Sequence, residues 1–156
     1  MPADSKMTLS LLWSIVLRVL VGVYWLYFGF EKLRGYGWVR SLLQNAAFNN
    51  PIPLYNDFLR SVVLPNWELV TIFQTILEIA VGVGLVLGLL TRICAALGVF
   101  AAVNLTLTFA FSVADFGLVF WFYSLGVLVN STALAQNSGQ TIGIDRLLSR
   151  SPWRHK

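Results

Sequence analysis

Glu78 is the residue most in need of a chemical explanation. It lies near the middle of the apolar stretch 64–92, LPNWELVTIFQTILEIAVGVGLVLGLLTR, which reads as a membrane-crossing helix. A charged group at the centre of a bilayer costs about 2.5–3.5 kcal/mol on insertion scales, so it is paired, protonated or wetted. Counting along the helices at about 1.5 Å per residue places Arg18 and Asn104 at the depth of Glu78, within the reach of an arginine side chain. Gln74 precedes Glu78 by one helical turn and falls within hydrogen-bonding reach. Arg18 and Glu78 are therefore the candidate catalytic pair. Gln74 and Asn104, with Lys32 and Glu68, are the candidates for holding a cofactor. A second layer nearer the membrane edge joins Glu68 with Glu31 and Lys32. Two uses of the central layer stay open: ionic glue that fixes helix register, or a site for a polar substrate, a quinone headgroup or a proton.

The chemistry available is limited by what the chain lacks. It has one cysteine, Cys94, and one histidine, His155, in 156 residues. That composition excludes an internal disulfide, a multi-cysteine metal or iron–sulfur site and a bis-histidine haem within the chain. Cys94 reads as a small packing residue in an apolar helix. No metal site is expected.

The elements that position these residues are membrane helices. The apolar fraction is 57%, charged residues are 12%, and mean hydropathy is +0.72, against about 25% charge in a soluble domain. The net charge of +4 sits mostly in loops and tail, which points to anionic headgroups rather than nucleic acid. We expect an all-α four-helix membrane bundle with spans at about 9–30, 67–89, 93–111 and 116–135, followed by a basic cytoplasmic tail, 136–156. The N-terminal segment reads as a retained first helix, without a small-residue cleavage site. In the first span Arg18, Gly22, Trp25, Gly29 and Lys32 share one face, and its small residues admit a close helix neighbour. In the second, Glu68, Thr71, Thr75, Glu78 and Gly82 form a polar stripe. The third carries Asn104 and Thr108 at helical spacing, and the fourth Tyr123 and Asn130. Tyr24, Tyr27, Trp67 and Trp121 read as interface or packing residues.

The connection 31–66 is too long for a turn. Trp38, Val39, Leu42, Leu43 and Ala46 repeat with a helical period, as do Leu54, Tyr55, Phe58, Leu59, Val62 and Val63, and Pro51 and Pro53 separate the two sets. We expect two short amphipathic helices at the membrane surface, capping the bundle. Four crossings put both termini on one side. Lys6, Arg92, Arg146, Arg150, Arg154 and Lys156 outnumber Lys32, Arg34, Arg40 and Arg60 across the membrane, so the positive-inside rule favours cytoplasmic termini. The Asn-x-Ser/Thr matches at Asn104 and Asn130 lie within spans, out of reach of glycosylation.

Several of these residues form a recognisable pattern. Arg18-x-x-x-Gly22 leads to Gly29-Phe30-x-Lys32-Leu33, and later comes Glu78-x-x-x-Gly82-x-x-Leu85-x-x-Gly88-Leu89-x-Thr91-Arg92, followed by two further spans. Over roughly 12–131 this resembles the DoxX/DoxD-like family of small four-helix membrane proteins. The Phe48-Asn49-Asn50-Pro51 stretch and Pro65 are more similar to the DoxD side. The resemblance implies a membrane subunit of a quinone-linked redox complex such as thiosulfate:quinone oxidoreductase, working with a second redox subunit. It supplies no catalytic residues. Cations of the first loop would suit an anion such as thiosulfate. A membrane scaffold, and a small-solute or proton pathway, are the alternatives; a homo-oligomer is compatible with all three.

Overall fold

The computed structural model describes residues 3–110, 116–136 and 143–145, with side chains from residue 11 onward except at Phe116. Among the described residues six helices follow one another: α1 (Ala3–Leu33), α2 (Gly37–Asn49), α3 (Pro53–Phe58), α4 (Trp67–Leu87), α5 (Thr91–Phe109) and α6 (Phe116–Gln136). A wider π-type turn, Leu59–Val63, continues α3. Among the described residues four segments are long and apolar enough to cross a membrane: Leu11–Leu33, Trp67–Leu87, Thr91–Phe109 and Gly117–Gln136. Helices satisfy their own backbone, which is what a hydrocarbon environment demands. Outward faces carry side chains such as Leu20, Val23, Phe73, Phe100 and Leu125, all exposed; so much apolar surface belongs against lipid. The fold is the all-α membrane bundle expected, with short helices between the first and second spans. Of the tail expected at 136–156, Gln136 ends α6 and beyond it only residues 143–145 are described.

α1 and α4 make the most extensive contact in the bundle, and glycines set it. A side chain at Gly82 would come within 2.8 Å of the Gly22 carbonyl oxygen, and one at Gly22 within 2.9 Å of the Gly82 carbonyl oxygen. A side chain at Gly29 would press on Ile79 and sit beside the Glu78 Cβ. The two backbones therefore meet at small residues, the close approach that such spacing permits. This contact fixes the antiparallel register: Gly22 against Gly82, Gly29 against Glu78 and Ile79.

The turn between α4 and α5 is closed from a distance. Gly88 ends α4 in the left-handed region at φ 66°, and the Leu89 N–H reaches back to the Gly84 carbonyl at 2.8 Å, a glycine-terminated helix end. Leu90 is also left-handed, at φ 48°, a conformation that side chains other than glycine pay about 1–2 kcal/mol to hold. The carboxylate of Asp145 accepts from the Leu90 N–H at 2.7 Å and the Thr91 N–H at 2.9 Å. The Asp145 N–H donates to the Gly88 carbonyl at 3.0 Å. A residue far along the chain thus serves the first turn of α5 as its cap.

At the other end of the bundle α2, α3 and the π-type turn form a cover over α4 and α5. Val39, Leu43, Ala46, Ala47, Leu59 and Val63 are buried; of the two periodic sets read from the sequence, Trp38, Leu54, Phe58 and Val62 are exposed instead. Leu54 and Phe48 point outward. Asn50 makes the bend between the helices, donating to the Leu107 carbonyl at 2.8 Å and accepting from the Ile52 N–H at 3.0 Å. α6 is tied in by Asn130, whose side-chain oxygen accepts from the Trp25 indole N–H at 2.9 Å. Gly98 of α5 leaves the room that Asn130 occupies.

Candidate functional site: a buried ion pair beneath an aromatic cavity

Glu78 is buried, and its partner is Lys32. Both carboxylate oxygens lie 2.6 Å from the Lys32 Nζ. Gln74 Nε2 donates to the same carboxylate at 3.2 Å, the one-turn contact that its spacing implied. The pairing with Arg18 expected from depth counting is not formed. Arg18 packs its guanidinium against Gly88, at the α4–α5 turn, beside the Asp145 cap. Distance from the apolar ends of the spans on the terminus side does not set this register. Register is decided instead by the glycine contacts, which set Glu78 opposite Gly29. Arg18 is eleven residues further back along α1, about 16 Å at the helical rise.

The second expected layer is corrected by the same observation. Lys32 turns inward to Glu78, leaving Glu31 and Glu68 exposed. Asn104 also has a different partner: its side-chain oxygen accepts from the Tyr55 hydroxyl at 2.8 Å, and Tyr55 shares a second 2.8 Å hydrogen bond with Thr108. Burial pushes the Tyr55 hydroxyl pKa up, opposed by its bond to Thr108, so it stays a neutral donor. The Asn104–Thr108 spacing flagged the right face of α5. Nothing in the sequence matched it to a tyrosine of the connecting segment.

These groups face one cavity of about 300 Å³, at the lower end of the range of small-molecule sites. α1 lines it with Tyr24, Trp25, Phe28 and Lys32; α4 with Thr71, Gln74 and Glu78; α5 with Phe100, Asn104 and Thr108. Tyr123 comes from α6, and the cover adds Trp38, Tyr55 and Phe58. Of the six residues singled out from sequence, Lys32, Gln74, Glu78 and Asn104 share this cavity, while Arg18 and Glu68 do not. Sequence reasoning missed Tyr24, Tyr55 and Tyr123 as site residues. Tyr24 and Tyr123 are tyrosines within apolar spans, and Tyr24 falls one residue before the small-residue face that includes Trp25 and Lys32.

The floor is a neutral ion pair and the walls are aromatic. Lysine has three N–H donors and two meet Glu78, so a third can meet a ligand acceptor. Thr71 and Thr75 donate to carbonyls one turn back in α4, which satisfies their hydroxyls within the helix. Among the described residues no group of three or more His, Cys, Asp and Glu side chains is placed to hold a metal ion.

Compared with known protein families, residues 14–111 match DoxX. The chain belongs to the DoxX family. The matched region runs from within α1 to the end of α5, so both halves of the ion pair and nearly all of the cavity wall are DoxX elements. No curated protein and no solved structure matches the chain.

Proposed function

We propose that the chain is the membrane subunit of a quinone-linked redox complex and that the cavity above Lys32 and Glu78 receives the quinone ring. The observation that carries this is a polar floor with zero net charge under aromatic walls. A flat neutral ring with carbonyl oxygens suits those walls, and the remaining Lys32 donor suits one of its oxygens. A quinone supplies two-electron, two-proton redox chemistry, with electrons delivered by a second subunit. Lys32 Nζ would donate to a ring oxygen, and Glu78, itself held by Gln74, fixes the Lys32 ammonium in place for that contact. Tyr24, Trp25 and Phe28 keep water from the ring.

Oxidation of thiosulfate or a related sulfur compound falls in this reading to the second subunit. Two of the loop cations that would attract an anion are already engaged: Arg60 donates to the Ala47 carbonyl at 2.9 Å, and Arg40 lies 5.8 Å from the centre of the Trp67 ring. We place the termini in the cytoplasm, so the cavity lies toward the opposite face.

The test uses the full chain in lipid nanodiscs, with emission from Trp25 and Trp38 reporting added quinone. Replacing the pair together, Lys32→Met with Glu78→Leu, leaves no unpaired buried charge. It is expected to retain the fold and raise the quinone Kd at least tenfold, about 1.4 kcal/mol. Unchanged binding in a folded double variant would make the pair a structural element and favour the scaffold reading. A complex purified with its partners that neither binds nor reduces quinone would end the redox reading.

A further inference from the structure

The cavity wall is sorted by polarity in a way that indicates how a ligand arrives. Its charged residues, Lys32 and Glu78, are buried, as are Thr71 and Thr108. Gln74 and Asn104 are half-buried. The wall residues that reach the outer surface are Trp38 (44% exposed), Phe58 (45%), Val62 (47%) and Phe100 (66%). No exposed residue of this wall is polar. An opening to water would present groups that water can solvate.

Two placements identify the medium outside. Phe100 lies midway along α5, a candidate membrane span, and therefore at hydrocarbon depth. Phe58 and Val62 belong to the cover, whose outer surface carries Phe48 and Leu54, 72% and 84% exposed. Such an amphipathic cover seats its outer apolar side chains among acyl chains.

We propose that the cavity opens sideways into the bilayer past Phe100, Phe58 and Val62, and that its ligand is a lipid-soluble quinone whose hydrocarbon tail leaves through this opening. This inference rests on the quinone reading of the floor and adds the class of quinone and its route. The ring is held at Lys32 while the tail stays in lipid, so the site loads from the membrane pool. A ring without a tail still meets the Lys32 donor, so supplied in excess it competes for the floor.

The experiment uses the full chain in phosphatidylcholine nanodiscs and a benzoquinone with a decyl tail carrying a diazirine on the third tail carbon. After photolysis, adducts are mapped by peptide mass spectrometry, with and without excess of the same ring lacking the tail. The expected result is labelling of Phe100, Phe58 or Val62, reduced at least fivefold by excess ring and by Lys32→Met/Glu78→Leu. Adducts at these residues that excess ring does not reduce are ordinary lipid-face labelling and overturn the proposal. Adducts that are competed by ring but lie at the exposed loop residues Arg34 or Gly35 place the opening toward water; the sideways route then fails while the ring site stands. Absence of competable adducts anywhere on the chain overturns the ring site and the route together.

Discussion

At the scale of single residues, the central question is which cation neutralises Glu78. Removing one partner of a buried pair costs about 3–5 kcal/mol, because it leaves an uncompensated charge. A double-mutant cycle on Lys32→Met and Glu78→Leu is therefore expected to show strong coupling in reversible unfolding from bicelles, the double variant being more stable than either single one. The same cycle on Arg18→Met and Glu78→Leu is expected to give coupling within about 0.5 kcal/mol, the additivity seen for well-separated sites. Equal coupling in the two cycles would contradict the register described above. Sequence spacing marks Glu78 as a charge needing partners and puts Gln74 within its reach, the contact that forms. It also placed Lys32 on the α1 face shared with Gly22 and Gly29. Choosing between Arg18 and Lys32 required the helix register, a tertiary quantity that counting from apolar boundaries does not deliver.

At the scale of elements, the α4–α5 turn depends on a side chain outside both helices. For Asp145, burial raises the carboxyl pKa, but the N–H groups of Thr91 and Leu90 and the nearby Arg18 charge outweigh it, holding the carboxyl below its usual range. A group with a depressed folded-state pKa stabilises the fold above its unfolded value, about 3.9 for aspartate, and that contribution disappears as pH falls through the folded value. Asp145→Ala is accordingly expected to lower thermal stability at neutral pH by about the 0.5–2 kcal/mol of a lost cap. The gap between wild type and variant should close as the pH is taken below about 4. A gap that persists unchanged into strong acid would mean that Asp145 acts by packing rather than as a carboxylate. Arg18 belongs to this element, so its charge bears on the turn and not on the cavity. The Gly88-to-Arg92 turn was legible from its glycine and its brevity. Its cap was not, because the residue that makes it follows more than fifty positions later in a polar segment without periodic pattern. The connecting helices were legible for the converse reason: Val39, Leu43, Leu59 and Val63 repeat at helical spacing and bury, although Trp38, Leu54, Phe58 and Val62 of the same periodic sets stay exposed.

At the scale of the whole molecule, the number of crossings and the placement of charge combine into a prediction about sidedness. Four spans return the chain to the side from which it started, so the α1–α2 connection and the α3–α4 connection share one face, opposite the α4–α5 turn and the end of α6. The spans were legible because about 20 consecutive apolar residues have few alternatives to a membrane helix. Which face is cytoplasmic is a matter of charge bias, and here it can be read from single cysteines in a Cys94→Ser background. Arg34→Cys and Asn66→Cys mark the loop face; Arg92→Cys and Gln136→Cys mark the other. An impermeant maleimide added to intact cells is expected to label the first two and to reach the second two only after permeabilisation. The opposite pattern would invert the orientation without disturbing the bundle, whereas labelling of both sets from outside would contradict the four-span topology. In the expected orientation Lys32, at the loop-side end of α1, and the cavity above it are approached from the outer leaflet. The Asp145 cap then faces the cytoplasm, so the two ionic centres answer to different compartments. The bilayer opening past Phe100 is independent of this choice, since hydrocarbon bounds it from either side.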